Sequence, residues 1–436
     1  MNTHIYQKPI ELLQTLIRFD TTNPPGNEAK CIDYLNTLIR ETGLETTILA
    51  RDDKRPNLIT RLPGRGEASP LLLYGHVDVV TTAHQAWTHP PFSGDIIDGY
   101  VWGRGALDMK SGIAMMVAAL LRAKVEGVTL PGDVILAIVS DEEEDGEYGA
   151  KYLVENHPHY FEGVRYAIGE GGGFTIQIAG QKFYPISVGE KQVCSLRATM
   201  RGPGGHGSMP LRGGAMARLA QLLHQLDRQR LPVHITPIAR QMIEMMGDAL
   251  PFPQGLVMRQ LFNPILTDHI LNLSGETGNL INPLLHNTVS PTIVRGGHKI
   301  NVIPSEITLE LDGRLLPGFT PGDMLREVGQ LLGNDVALDV TRYDPGPGEP
   351  DMKLFDLLVN TLCEADPQAI TIPLLLSGVT DGRYLARLGI QTYGFLPMDL
   401  PEGLINTIHA ADERVPAETV EFGTNAVYAV LQRFSG

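Results

Sequence analysis

The run Leu71-Leu72-Leu73-Tyr74 reads as a buried strand, and it leads directly into Gly75-His76-Val77-Asp78. Side chains alternate along a strand, so His76 and Asp78 share one face at its end. An imidazole that binds a metal through one ring nitrogen needs an acceptor for its other N–H, and Asp78 is placed for that duty. A hydrogen-bonded strand end would use the same two residues, so the pair alone leaves both readings open.

The pattern recurs. Asp133 to Val139 is a second apolar strand, and it empties into Ser140-Asp141-Glu142-Glu143-Glu144-Asp145-Gly146. Five consecutive acids ordinarily form a solvated loop, but these follow the C-terminal end of an apolar strand, where α/β sheets place their chemistry. A third short strand, Val164 to Gly169, ends in Glu170 and the glycines Gly171-Gly172-Gly173, which let a ligand come close. Asp108 follows Gly103-Arg104-Gly105-Ala106-Leu107 and precedes a small-residue helix from Ser111 to about Val125; a helix-start aspartate is its plain alternative. His409 comes late, in Thr407-Ile408-His409-Ala410-Ala411-Asp412-Glu413. His76, Asp108, Glu143, Glu170 and His409 make five nitrogen and oxygen ligands, a set that suits Zn²⁺, with Co²⁺ or Mn²⁺ as substitutes. Three carboxylates and one hydroxide balance two divalent ions better than one.

A chain of 436 residues is long for one core and implies two domains, one inserted in the other. Helical spacing at Ile10, Leu12, Leu13, Leu16 and Ile17 stops at the turn cluster Thr21-Thr22-Asn23-Pro24-Pro25-Gly26-Asn27, and a second helix runs from about Glu28 to Glu41. Strands at Thr46 to Ala50, Asn57 to Leu62 and Leu71 to Tyr74 begin an α/β sheet. From about Gln192 the order becomes β-α-β-β-α-β, that of a ferredoxin-like module. This places catalytic parts at residues 1–191 and 345–436 and a small domain at residues 192–344, with an insertion at about 229–286. Met242, Met245, Met246, Leu250, Phe252 and Leu256 make that insertion helical packing or a dimer contact rather than a substrate lid.

Lys and Arg number 35 against 50 Asp and Glu, a net charge of -15 that argues against nucleic acid or an anionic membrane as partner. Cys31, Cys194 and Cys363 lie far apart, which fits reduced thiols better than a disulfide framework. Neither a leader nor an 18-residue apolar run is evident, so the expectation is a soluble, cytoplasmic protein.

The motifs Gly75-His76-Val77-Asp78, Gly103 to Gly112, Asp141-Glu142-Glu143, Gly169-Glu170, Gly204-Gly205-His206-Gly207-Ser208-Met209-Pro210, Asn301-Val302-Ile303-Pro304 and Ile408-His409 occur in this order. Together they resemble the co-catalytic zinc family of aminoacylase, acetylornithine deacetylase, succinyl-diaminopimelate desuccinylase and glutamate carboxypeptidase, in its longer, carboxypeptidase S-like form. The resemblance implies a mixed-sheet zinc-peptidase catalytic domain of α/β class with an inserted ferredoxin-like α+β lid and dimerisation domain. It implies two Zn²⁺ per chain, bridged by Asp108, with His76 and Glu170 on one ion and Glu143 and His409 on the other. Glu142 is then the general base, with Asp78 supporting the site, although the acid triplet also permits the pair Glu143 and Glu144. The resemblance further implies a cis peptide at Asp108-Met109, and makes His206 a donor to the oxyanion, commonly supplied across a homodimer interface. Asn301 and Arg314 become a clamp for a substrate carboxylate and carbonyl, and Gly378 and Arg383 contribute to the pocket floor. Within the family, Glu rather than Asp at the Glu170 position accompanies N-acyl amino acid hydrolases and carboxypeptidases. The expected reaction is therefore hydrolysis of the amide of an N-acyl amino acid or of a C-terminal peptide bond. A deacetylase or desuccinylase comes second and a dipeptidase third. A non-catalytic binding protein on the same scaffold would lack the base or a ligand, and all six positions are filled here.

Overall fold

The computed structural model describes residues 4–333, 336–346 and 348–436, with Glu276 described without its side chain. Met1 to Thr3, where the reading of the N-terminus begins, lie outside these. The chain divides into two compact units, one of Met1–Gly189, Pro350–Leu374 and Thr380–Gly436, the other of Glu190–Glu349 and Leu375–Val379.

The first unit is built on a mixed sheet of nine strands among the described residues. At its centre Leu71–His76 lies between Val134–Val139 and Tyr166–Gly169, parallel to both. Every residue of these three strands is buried, which is why their sequences run apolar without alternation. Asn57–Leu62 and Thr46–Leu49 extend one side antiparallel. On the other side come Gln391–Gly394, Gln181–Glu190 and Ile370–Leu376. The helix Lys110–Val125 is buried around nearly its whole circumference, as an apolar helix without a polar face must be. It packs against the strands Leu71–His76 and Val134–Val139 and against the helices Pro9–Ile17 and Ala417–Arg433. Its first residue, Lys110, is itself buried and donates to the carbonyls of Leu16 at 3.0 Å and Phe19 at 2.7 Å, closing the end of the Pro9–Ile17 helix.

The second unit has the order Gln192–Arg201, Ala215–Arg228, Thr288–Gly296, Glu306–Leu315, Pro321–Leu332, Val336–Asp344. Its four long strands form an antiparallel sheet in the spatial order Thr288–Gly296, Glu306–Leu315, Gln192–Arg201, Val336–Asp344, a ferredoxin-like arrangement. Leu196, Leu309, Leu311, Met324 and Val328 fill the space between this sheet and its helices. Between Ala215–Arg228 and Thr288–Gly296 the chain forms the helices Pro237–Ala249, Gln254–Arg259, Pro264–Leu273 and Gly275–Leu285. Of the apolar residues expected to pack there, Met242, Met246 and Leu250 are buried, whereas Phe252 is 86% exposed and Leu256 55%. Cys31 and Cys194 are buried and Cys363 is exposed, all three unpaired. Among the described residues, no helix is long and apolar enough to cross a membrane.

Candidate active site

Parallel strands deliver their C-terminal ends to one edge of a sheet, and three candidate ligands arrive there in this way. His76 is the last residue of its strand, in register with Val139, after which the acid loop begins; Glu170 follows Gly169 on the opposite neighbour. Asp108 enters from the side, at a cis peptide to Met109 just ahead of the Lys110–Val125 helix. A Cβ on Gly75 would meet the ends of the Met109 and Ile113 side chains, which would have to shift to make room for it. His409 stands on a loop at φ 61 and is half exposed.

These residues converge as two triads that share one carboxylate: His76, Asp108 and Glu170, and Asp108, Glu143 and His409, with ligand atoms within 4.8 Å of one another in each. His76 Nε2 is 3.2 Å from Asp108 Oδ1 and 3.4 Å from Glu170 Oε2. His409 Nε2 is 3.2 Å from Asp108 Oδ2 and 3.3 Å from Glu143 Oε2. Each oxygen of Asp108 therefore faces a different imidazole. Glu143 occupies the second triad, while Glu144 is exposed, which separates the two ways of pairing the acid triplet.

The electrostatics are those of carboxylates crowded beyond what two imidazoles neutralise. Burial opposes charge on His76, but Glu170, Asp108 and Asp78 outweigh it and hold the ring well above the usual histidine range. Hydrogen bonds to Asp108 and Glu143 raise His409 to about 10. Burial raises Glu170 to about 7, against the pull of His76. Glu142, which belongs to neither triad, is pushed well above the carboxylate range by burial and by the charge of Glu170, with Asp381 and Glu143 adding to it. One buried oxygen, Glu143 Oε1, has no hydrogen-bond partner. Three carboxylates, two imidazoles and an orphaned buried oxygen fit a pair of divalent cations, whose charge would replace the protons that the group otherwise holds.

The supports are as informative as the ligands. Asp78 lies just past the strand, where its carboxylate accepts the backbone N–H groups of Glu142 and Glu143, each at 3.2 Å, and the Asn23 amide at 2.9 Å. His76 Nδ1 is 3.0 Å from the Asp78 carbonyl and 3.4 Å from its carboxylate, so the main chain is the nearer acceptor. Asn23 also donates to Asp141, and Arg55 pairs with both Asp141 and Glu28 at 2.7 Å. None of Asn23, Glu28 and Arg55 was singled out from the sequence; the only signal was their place in or beside the Asn-Pro-Pro-Gly turn and the strand Asn57–Leu62. Asp381, in the loop between Gly378 and Arg383, is 1% exposed with neither carboxylate oxygen hydrogen-bonded.

The remaining candidates divide between the units. Arg383 is buried in the first unit and donates to Asp145 at 2.8 Å, tying down the end of the acid loop. His206, Asn301, Arg314 and Gly378 belong to the second unit. There the pair Gly205–His206 bonds to Val302–Ile303, and the Asn301 carbonyl accepts the Gly207 N–H at 2.8 Å, so His206 and Asn301 are brought together. His206 Nδ1 lies 2.7 Å from the Ser208 hydroxyl and 3.2 Å from the Ser208 backbone nitrogen. Arg314 pairs with Asp312 at 2.9 Å and keeps a buried Nη1 without a partner. Gly378 is exposed.

Two triads that share the carboxylate of Asp108, gathered at one edge of a mixed sheet, form a candidate two-metal site. The chain belongs to peptidase family M20/M25/M40, whose family model matches residues 72–433. It is 30% identical over 362 residues to the N-fatty-acyl-amino acid synthase/hydrolase PM20D1 of Xenopus tropicalis, covering 81% of this chain and 70% of that protein. It is 29% identical over 367 residues to a probable carboxypeptidase S-like 2 of Dictyostelium discoideum, covering 79% of this chain and 68% of that one. The fold matches an M20 family metallo-carboxypeptidase, Sso-CP2 of Sulfolobus solfataricus, with a TM-score of 0.70 at 17% identity over 99% of each chain. It also matches the Bacillus subtilis YXEP protein, a dinuclear metal binding peptidase, with a TM-score of 0.59 at 14% identity over 100% of each.

Proposed function

We propose that this chain hydrolyses the amide bond of N-acyl amino acids, with C-terminal peptide bonds as the adjoining substrate class, at a site that holds two Zn²⁺, for which Co²⁺ or Mn²⁺ can substitute. The observation that carries this reading is the pair of triads joined through Asp108, with Glu142, next to Glu143 in the chain, outside both. The two ions, when bound, polarise a carbonyl and bring the pKa of an attacking water from about 16 toward ~7. His76 and Glu170 would hold one ion, Glu143 and His409 the other, and Asp108 both. Glu142 is a carboxylate whose burial favours its protonated form, suited to take a proton from water as its oxygen bonds to the carbonyl carbon. As the C–N bond breaks, the same carboxyl returns that proton to the departing amine. With Nδ1 of His206 engaged by Ser208, Nε2 is the ring nitrogen left for the expected oxyanion role.

The substrate class is supported by the likeness to N-fatty-acyl-amino acid hydrolases over four fifths of the chain. Likeness to succinyl-diaminopimelate desuccinylase, at 33% identity, spans only 50% of it. A panel of N-acetyl, N-succinyl and long-chain N-acyl amino acids and dipeptides, given to zinc-loaded protein, tests the reading. Turnover of acyl amino acids is expected; turnover of dipeptides alone would replace it with an exopeptidase, and of the succinyl substrate alone with a desuccinylase.

A further inference from the structure

Asp108 and His409 face each other across the second triad although 301 residues separate them in the chain. Behind them lies a continuous chain of polar contacts. Glu413 is fully buried, and its carboxylate is saturated by donors from the segment carrying Asp108. Oε1 accepts the N–H groups of Leu107 at 2.7 Å and Asp108 at 3.1 Å. Oε2 accepts that of Gly105 at 3.1 Å and Arg104 Nη1 at 2.6 Å. Gly105 sits at φ +86, the left-handed region that glycine reaches without strain. Arg104, 1% exposed, carries the chain onward: its Nη2 donates to Gln85 Oε1 at 2.8 Å while its guanidinium lies 5.2 Å from the Trp87 ring centre. Gln85 Nε2 then donates to the carbonyl of His409 at 2.8 Å. The same two loops are fastened again by Thr88, whose N–H and hydroxyl both reach the Asp412 carboxylate at 2.7 Å.

His76 is held by a strand and by Asp78, whereas His409 stands on a half-exposed loop. We propose that Glu413, Arg104 and Gln85 are positioning residues that fix the His409 backbone against the segment bearing Asp108. Gln85, the member that holds His409, thereby sets the metal affinity of the Asp108–Glu143–His409 site separately from that of the His76–Asp108–Glu170 site. The inference rests on the two-ion reading above. A ligand on a mobile loop binds weakly because the ion must order it first, and outer hydrogen bonds remove that cost in advance.

The test is a stepwise Zn²⁺ titration of chelator-stripped protein against a chromophoric competing chelator, with wild type, Gln85→Ala, Gln85→Glu and His409→Ala compared. Gln85 is only partly buried, so its variants leave the core intact. The glutamate variant keeps the acceptor for Arg104 but lacks the donor for the His409 carbonyl. Both Gln85 variants are expected to weaken one binding step by about tenfold or more and leave the other within about twofold, and His409→Ala to abolish that same step. Wild-type affinity in Gln85→Glu, or equal weakening of both steps, would overturn the proposal. Uptake of fewer than two ions by the wild type would instead remove the two-ion reading on which it stands.

Discussion

The carboxylate of Asp78 accepts the backbone N–H of Glu143 at 3.2 Å, so the residue that orients His76 also fixes the start of the acid loop. A candidate ligand of each triad is thus held by one residue, His76 through the Asp78 carbonyl and Glu143 through its carboxylate. Replacing Asp78 with Asn keeps the size but turns half of this acceptor into a donor facing the N–H groups of Glu142 and Glu143. The expected result is a loss of about 10- to 100-fold in metal affinity, read by chelator competition, with activity at saturating metal falling as well. Unchanged affinity would mean that His76 is oriented by the main chain alone.

Glu142→Gln removes the proton acceptor while preserving shape. With Glu142 in neither triad, metal content should stay at the wild-type value while kcat falls by about 10²- to 10⁴-fold and KM changes little. A variant that loses metal along with activity would make Glu142 a ligand rather than a base.

The crowded carboxylates give metal-free protein a distinctive pH dependence. Glu170 is raised from 4.5 to about 7, chiefly by burial, and His409 from 6.5 to about 10 through Asp108 and Glu143. In both cases the folded state binds the proton more tightly than the unfolded chain does. The stability this contributes is fully present below the unfolded values and is lost as pH rises through the folded ones. The Tm of chelated protein should therefore fall relative to that of metal-loaded protein, whose ligands have already released their protons, between pH values of about 5 and 10. Parallel pH profiles for the two forms would contradict the shared-carboxylate centre.

Arg55 bridges Glu28 and Asp141 at 2.7 Å each, and all three side chains are at most 7% exposed. Arg55→Met leaves two buried carboxylates without their cation and should cost about 3–5 kcal/mol in urea unfolding. Arg55→Met with Glu28→Met should recover part of that loss, because one of the two uncompensated charges is removed. A single variant as stable as wild type would show that Arg55 is dispensable to the fold.

The parts legible in the sequence are those encoded locally. His76, Glu142, Glu143 and Glu170 stand out because each ends an apolar run, and a parallel sheet collects such ends on one edge whatever the loops between them do. The ferredoxin-like order from Gln192 onward could be read for the same reason, since its strands alternate and its helices are amphipathic. Three identical neighbours do not by themselves separate the pair Glu142 and Glu143, taken from the resemblance, from Glu143 and Glu144; the grouping of Glu143 with Asp108 and His409 arises only when the chain folds. Arg383 carried no mark of its partner Asp145, which lies 238 residues distant. Phe252 and Leu256 read as helical packing or a dimer contact, and within one chain both are exposed, because apolarity alone does not say which residues the fold covers. Gln181–Glu190 lay in a stretch assigned no element, its polar ends masking a strand whose central residues are buried.

The measurement that bears most directly on the whole account is reactivation of chelated protein with counted zinc, following release of free amino acid from an N-acyl amino acid. Activity should climb until two ions are bound per chain and stop there, with Glu142→Gln binding the same two ions and staying inactive. Full activity at one ion per chain, or no hydrolysis of any acyl amino acid with two ions in place, would contradict it.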